Sequence, residues 1–329
     1  MLPDAPLITL IAITLFAAIV NGALGYGFSS LTVPVALLFY ANRVINPALV
    51  LVEVVVNSYM LLVNWRSVPR IWRRVLPIIF GLVPGVLIGS YALSMAHPEW
   101  LKLFTYGILL PLILLQAAGV RRPIRSERAV GVPFGASVGV LYSVTTVSGP
   151  PLALLFNNQG FIKGEFRAAL SLIRVIESSV TASAYYFLGV YSAASTHILV
   201  SIVPSVVIGI PVGAYIISRM NAETFRRICM SFDAWVVGFG LTRVLIDLTL
   251  IPSPEAYGVW LAVIVVDLYL LYRYFRARQG IESSRLAVEP RIGAGGIRWQ
   301  RRASAIQNEL SSLKRVTPLG GVHKETSDE

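Results

Sequence analysis

A series of long apolar runs constrains this sequence more than any other feature. They fall at 7–25, 31–41, 45–64, 75–96, 101–119, 130–147, 151–159, 168–190, 197–217, 225–247 and 257–275. Most reach the ~20 residues with which a helix crosses a ~30 Å hydrocarbon core. The short segments starting at Pro34 and Pro151 cover only about half that thickness at ~1.5 Å per residue. Composition closes off the alternatives: charged residues make up 14% of the chain, against about a quarter in a soluble domain. A soluble enzyme, a DNA-binding domain and a secreted disulfide scaffold are excluded, and a polytopic membrane protein remains.

The net charge of +11 fits cytoplasmic loops rich in Lys and Arg. Arg66, Arg70, Arg73 and Arg74 share one loop; Arg121, Arg122, Arg125 and Arg128 another; Arg219, Arg226 and Arg227 mark a third, at the start of the 225–247 run; Arg273, Arg276 and Arg278 mark the end of the last run. These ends are placed in the cytoplasm. The loops around His97, Tyr191–Thr196 and Thr249–Tyr257 are poor in basic residues and are placed outside. The N-terminal run has Asp4 where a signal peptide has basic residues, so it is expected to be a retained first helix with its N-terminus outside.

The chain repeats itself. PVALLF (Pro34–Phe39) matches PLALLF (Pro151–Phe156) at an offset of 117, and GVLIGSYALS (Gly85–Ser94) matches GIPVGAYIIS (Gly209–Ser218) at an offset of 124. Glu99 then pairs with Glu223, and Lys102 with Arg226. Equivalent loops differ in basic charge, which puts them on opposite membrane faces. The expected fold is all-α: two inverted repeats of about five helical segments each, with short or broken helices, plus one extra C-terminal span. The expected organisation is a first membrane repeat over 1–120, a basic cytoplasmic linker over 121–129, a second membrane repeat over 130–248, an additional transmembrane helix over 249–275 and a mostly disordered basic cytoplasmic tail over 276–329. Within the tail, Ile297–Val316 has the pattern of a basic amphipathic helix for anionic lipid, with a solvated linker as its competing state. Inverted repeats with interrupted helices place a transporter's site at the midplane.

Candidate site residues cluster at the two interruptions. FSSLTVP contributes Ser29, Ser30 and Thr32; TVSGPP contributes Thr145, Thr146, Ser148 and Gly149. Proline suits a first helical position and small hydroxyl residues before it suit a cap, so free N–H groups at two helix tips would bind an anion. A simple cap or packing kink is the competing explanation. The third run carries Asn46, Glu53, Asn57 and Asn64, the eighth Arg167, Ser171, Arg174, Ser178, Thr181 and Tyr185, all at helical spacing. At an offset of 121, Glu53 falls on Arg174 and Asn57 on Ser178, so a pseudo-two-fold would bring acid and base together. They could form a structural ion pair. Alternatively Arg174, with Asn57 and Ser178, binds the anion while Glu53 or Glu177 takes the coupling proton, Glu177 being one acid more than Arg174 neutralises.

Other residues have plainer expected roles. Arg167 snorkels at a helix end, and Cys229, the one cysteine, fills a small buried space. Asp233 and Arg243 lie ten residues apart on one helix, too far to touch, and each needs another partner. The Gly85/Gly89 and Gly209/Gly213 pairs suit close helix packing. Trp65, Trp72, Trp100 and Trp260 suit an interfacial belt. His97, His197 and His323 match no metal-ligand spacing, there is no Walker A loop, and no histidine lies in a span core to serve a hydrolase. No enzyme activity, cofactor or metal is expected.

NGALGYGFSSLTVPVALL and SVGVLYSVTTVSGPPLALLFNNQGFIKGEFRA, with the GxxxGxY helix in both halves, resemble the sulfite exporter TauE/SafE family of bacterial membrane proteins. The resemblance covers about residues 7–247. Many members have a glycine-rich G-x-G-G-G opening where this chain has GALGYGFSS. It implies ion-gradient-driven transport of small sulfur-containing anions, such as sulfite or sulfonates, across the inner membrane. The expected function is therefore a secondary transporter, an exporter or permease, of a small anionic substrate with H+ or Na+ as coupling ion. Its partners are the lipid bilayer, the substrate and that ion, with no nucleic acid. A membrane receptor that recruits a cytoplasmic partner through its tail is the alternative from another class.

Overall fold

A computed structural model describes residues 5–118, 127–159, 161, 163–217, 219 and 222–276. The expected linker arginines Arg121, Arg122 and Arg125 lie outside the described residues, as does the tail from 277 with its amphipathic segment. The chain divides into a unit of residues 1–271 and a second of residues 272–329. Only 272–276 of the second unit are described, and they are helical.

The described residues form helices and no strand. In order they are α1 (Ala5–Leu24), α2 (Phe28–Ala36), α3 (Asn42–Asn64), a short 3-10 turn (Trp65–Ser67), α4 (Val68–Met95), α5 (Pro98–Ala117), α6 (Glu127–Thr145), α7 (Gly149–Asn158), α8 (Lys163–Phe187), α9 (Ala193–Ile217) and α10 (Ala222–Asp247). A further helix, α11, spans Ser253–Arg276. Six helical stretches are long and apolar enough to cross a membrane: α1, the run from Asn42 to Met95, and α5, α9, α10 and α11. The protein is an all-helical, multi-span membrane protein. Helix α8 is continuous and long enough to cross, but its apolar run is broken by Arg174 and Glu177, which are buried in the protein.

The most extensive helix packing is α4 against α6 and α1 against α9. Glycine makes these approaches possible. A Cβ at Gly81 would lie 1.9 Å from the Val132 carbonyl oxygen, and one at Gly85 2.2 Å from that of Ala136. On the other pair, a Cβ at Gly213 would lie 1.9 Å from Ile19 O, and one at Gly22 2.1 Å from Ile210 O. The small-residue pairs are thus backbone contact points, as their spacing predicts. Exchanging α1–α5 for α6–α10 maps α1 on α9 onto α6 on α4, α3 on α9 onto α8 on α4, and α2 on α10 onto α7 on α5; all six interfaces are present. Helices α3 and α8 pack on one another, as do α5 and α10.

Both short helices are present, with starts that differ in one respect from expectation. Pro150 and Pro151 occupy the first turn of α7. Pro34, by contrast, lies inside α2, which begins six residues earlier at Phe28. Gly25 and Gly27, at φ +85° and +108°, turn the chain after α1 and set that earlier start. Ser29, Ser30 and Thr32 therefore belong to α2 itself.

Candidate functional site

Each interruption is built by a left-handed residue two positions before a serine. In the first it is Gly27, followed by Ser29; in the second it is Thr146 at φ +57°, followed by Ser148. A β-branched residue in that region is strained. Local bonds hold it: Thr146 Oγ1 donates to Thr145 O at 2.7 Å, and Thr145 Oγ1 donates to Leu141 O while accepting the Val147 N–H at 3.1 Å. The helix that ends at each interruption is capped from the opposite half. Arg167 of α8 donates to Ala23 O of α1 at 3.0 Å, and Asn46 of α3 donates to Val144 O of α6 at 2.5 Å, with Asn42 reaching the same oxygen at 3.3 Å. Arg167 is therefore no snorkelling residue; the last carbonyls of an ended helix carry negative partial charge and attract it.

The serines do not act as caps. Neither the start of α2 nor that of α7 has a side-chain cap bond. Ser29 Oγ instead donates to Glu53 Oε1 at 2.6 Å, and Ser148 Oγ to Glu177 Oε2 at 2.5 Å. A carboxylate is the stronger acceptor, and hydrogen bonds to it are short. These two matched bonds pair Glu53 with Glu177, a separation of 124, the offset of the GVLIGSYALS match. The offset of 121 pairs Glu53 with Arg174 instead. By function, then, the equivalent residues are the two acids, and Arg174 has no cationic counterpart.

Arg174 and Glu53 do meet. Arg174 Nη2 donates to Glu53 Oε1 at 2.5 Å, with both side chains buried. Tyr142 of α6 donates to Glu53 Oε2 at 2.6 Å. Glu53 thus accepts from α2, α6 and α8 together. Sequence reasoning missed Tyr142; its one signal was a phenol three residues before the TTVSGPP interruption. Arg174 Nε and Nη1 have no partner among the described residues, and neither does Glu177 Oε1 or Asn57 Nδ2, although all are buried. Two acids face one guanidinium, whose remaining donors are uncommitted.

The other predicted residues are also buried, with more local bonds. Ser178 Oγ donates back to Arg174 O at 2.6 Å, and Ser30 Oγ to Gly27 O at 3.2 Å. Thr32 Oγ1 has no partner among the described residues, and Gly149 begins α7 against the Tyr26 ring. Ser178 and Ser30 therefore shape backbone, and their hydroxyl protons are already committed. A groove of about 670 Å³ between α3 and α9 is lined wholly by aliphatic residues and proline, so it offers an anion nothing.

Buried ionisable groups between two interrupted helices, in a multi-span helical protein, define a membrane transporter. The particular family follows from the sequence comparison: residues 10–240 match sulfite exporter TauE/SafE, and the chain belongs to that family. Its members are membrane transporters of sulfite and related sulfur anions rather than enzymes. The matched stretch runs from α1 into α10 and leaves α11 outside. None of the curated proteins and none of the solved structures matches the chain.

Proposed function

We propose that this protein is an ion-gradient-driven secondary transporter of a small sulfur oxyanion or organosulfonate, working as an exporter from the cytoplasm. The two halves are read as inverted repeats, with the N-terminus outside and the tail cytoplasmic. The exchange-symmetric helix pairing and the loop charges support that reading. Ser29, Ser30 and Thr32 on one side, and Thr145, Thr146, Ser148 and Gly149 on the other, frame a central site. Arg174 supplies its charge, joined by Asn57 of α3 and Ser178 of its own helix.

One observation carries the reading: a buried guanidinium with one nitrogen bonded to Glu53 and two without partners among the described residues. Buried charges are normally paired and hydrogen-bonded in full. A planar cation with free donors suits an oxyanion, which takes two parallel N–H bonds. Charge balance then favours coupling. Glu53, Glu177 and Arg174 ionised together sum to one negative charge, and an incoming anion would add another in a site shielded from water. A proton on Glu177, or on Glu53, removes that cost.

The test is flux in proteoliposomes. Sulfite, sulfoacetate, taurine and sulfate would be offered with and without a pH gradient, to wild type, Arg174→Ala and Glu53→Gln. The expected result is gradient-stimulated movement of at least one anion, abolished in Arg174→Ala and uncoupled from pH in Glu53→Gln. Normal transport by both variants would remove the site from Arg174.

A further inference from the structure

A second buried carboxylate stands apart from the Arg174 centre. Asp233, on α10, is 4% exposed, and its Oδ1 accepts no hydrogen bond among the described residues. It lines a small cavity of about 20 Å³ together with Tyr26, Gly27 and Ser30 at the start of α2, Pro150 in the first turn of α7, and Cys229 on its own helix. That volume holds about one water-sized group. The acid therefore reaches the same two interrupted helices as the Arg174 centre, from the α10 side.

The remaining wall of the cavity, from α1, α2, α5 and α10, is aliphatic or methionine. Tyr26 and Cys229 are the other titratable groups in it. Asp267 of α11 is bonded to Ser231 and Trp235 at 3.1 and 3.0 Å. Those residues lie two positions either side of Asp233, on the far face of the helix, so Asp267 does not share the cavity. Among the described residues no Lys, Arg or His lines the cavity to neutralise Asp233. The fold does not require an acid here: at the offset that pairs Glu99 with Glu223, the corresponding residue of α5 is Leu109, fully buried.

A buried carboxylate with an oxygen that accepts no hydrogen bond is costly when ionised. What favours its charge is the positive end of α2, whose first residues line the same cavity. A substrate anion at the helix tips draws on that same field and adds repulsion across a low dielectric. We propose that Asp233 is a proton-accepting site of the transport cycle, separate from the Arg174 centre: its carboxylate takes a proton from solvent when an anion occupies the helix tips, and gives it back when the anion leaves. This deepens the transport reading and rests on it. Anion and proton then move together, and Asp233 adds one proton to any carried by Glu53 or Glu177.

The test is proton uptake on anion binding, measured by calorimetry of the full chain in detergent, in buffers of different ionisation enthalpy. Sulfoacetate serves as probe above the titration range of its carboxylate, so that its own charge stays fixed. Wild type is expected to take up protons; Asp233→Asn takes up about one fewer per anion, and its affinity loses the matching tenfold dependence per pH unit. Asp233→Leu, copying Leu109, gives the same readout if the asparagine variant is unstable. Proton uptake equal to wild type in whichever variant folds overturns the proposal. Binding that is lost in Arg174→Ala but keeps its full proton count in the Asp233 variant removes this site and leaves the transport reading standing. Binding untouched by Arg174→Ala refutes that reading, and absence of wild-type binding for sulfoacetate, sulfite, taurine and sulfate alike refutes both.

Discussion

Replacing Arg174 by methionine tests the central ion pair energetically. The substitution keeps the length and removes the charge, leaving Glu53 with Ser29 and Tyr142 as donors, each at 2.6 Å. Removing one partner of a buried pair costs about 3–5 kcal/mol, because the remaining charge is left uncompensated. Two neutral hydrogen bonds remain on Glu53, each worth about 1 kcal/mol, so we expect the lower end, about 3 kcal/mol. Glu53→Gln keeps a side-chain carbonyl that can still accept from Arg174, so it should cost about 2 kcal/mol, less than a charge left with no acceptor. The double variant strands neither charge and should cost about 2 kcal/mol in all, a coupling of about 3 kcal/mol. Equilibrium unfolding in mixed micelles, followed by far-UV circular dichroism, would measure all four corners. Single effects that add to within about 0.5 kcal/mol would refute the pair as an energetic unit.

Three further outcomes follow from the geometry. Gly81→Ala puts a methyl 1.9 Å from the Val132 carbonyl oxygen, and Gly213→Ala puts one 1.9 Å from that of Ile19. Each should destabilise by about 3 kcal/mol or more as the paired helices are forced apart, whereas Gly107→Ala, with nothing within 4 Å, should not; thermal melts compare them. Thr146→Asn relieves a β-branched side chain held at φ +57° and should raise stability by about 1 kcal/mol; a lower melting temperature would count against strain there. Single cysteines at Arg70 and Ser192, in a Cys229→Ala background, should react with an impermeant thiol reagent from opposite membrane faces. Reaction from one face would rule out the inverted arrangement.

Much of the site was visible in the chain because its chemistry is expensive. Glu53, Arg174 and Glu177 stand out in apolar runs where an ionisable side chain needs a reason to be present. The repeated PVALLF and PLALLF segments likewise marked both interruptions. What the chain hid was bonding across elements. Tyr142 looks like any aromatic in a span until α6 brings its hydroxyl to Glu53. Ser29 and Ser148 look like caps because local spacing shows only the backbone N–H groups from which a serine oxygen could accept; the carboxylate that receives each hydroxyl proton comes from the next long helix. Arg167 reads as a surface residue because the carbonyl it caps is 144 positions away.

Helical spans, two matched halves and the location of the breaks were written in one dimension. Apolar run length, small-residue spacing and repeated words depend on neighbours along the chain and on the solvent around it. Which acid pairs with which serine, why Arg174 keeps two nitrogens uncommitted, and that Asp233 reaches the same helix tips were decided only by folding. Those facts depend on contacts between helices far apart in sequence, and side-chain bonding across such contacts is set by packing geometry that no local pattern encodes.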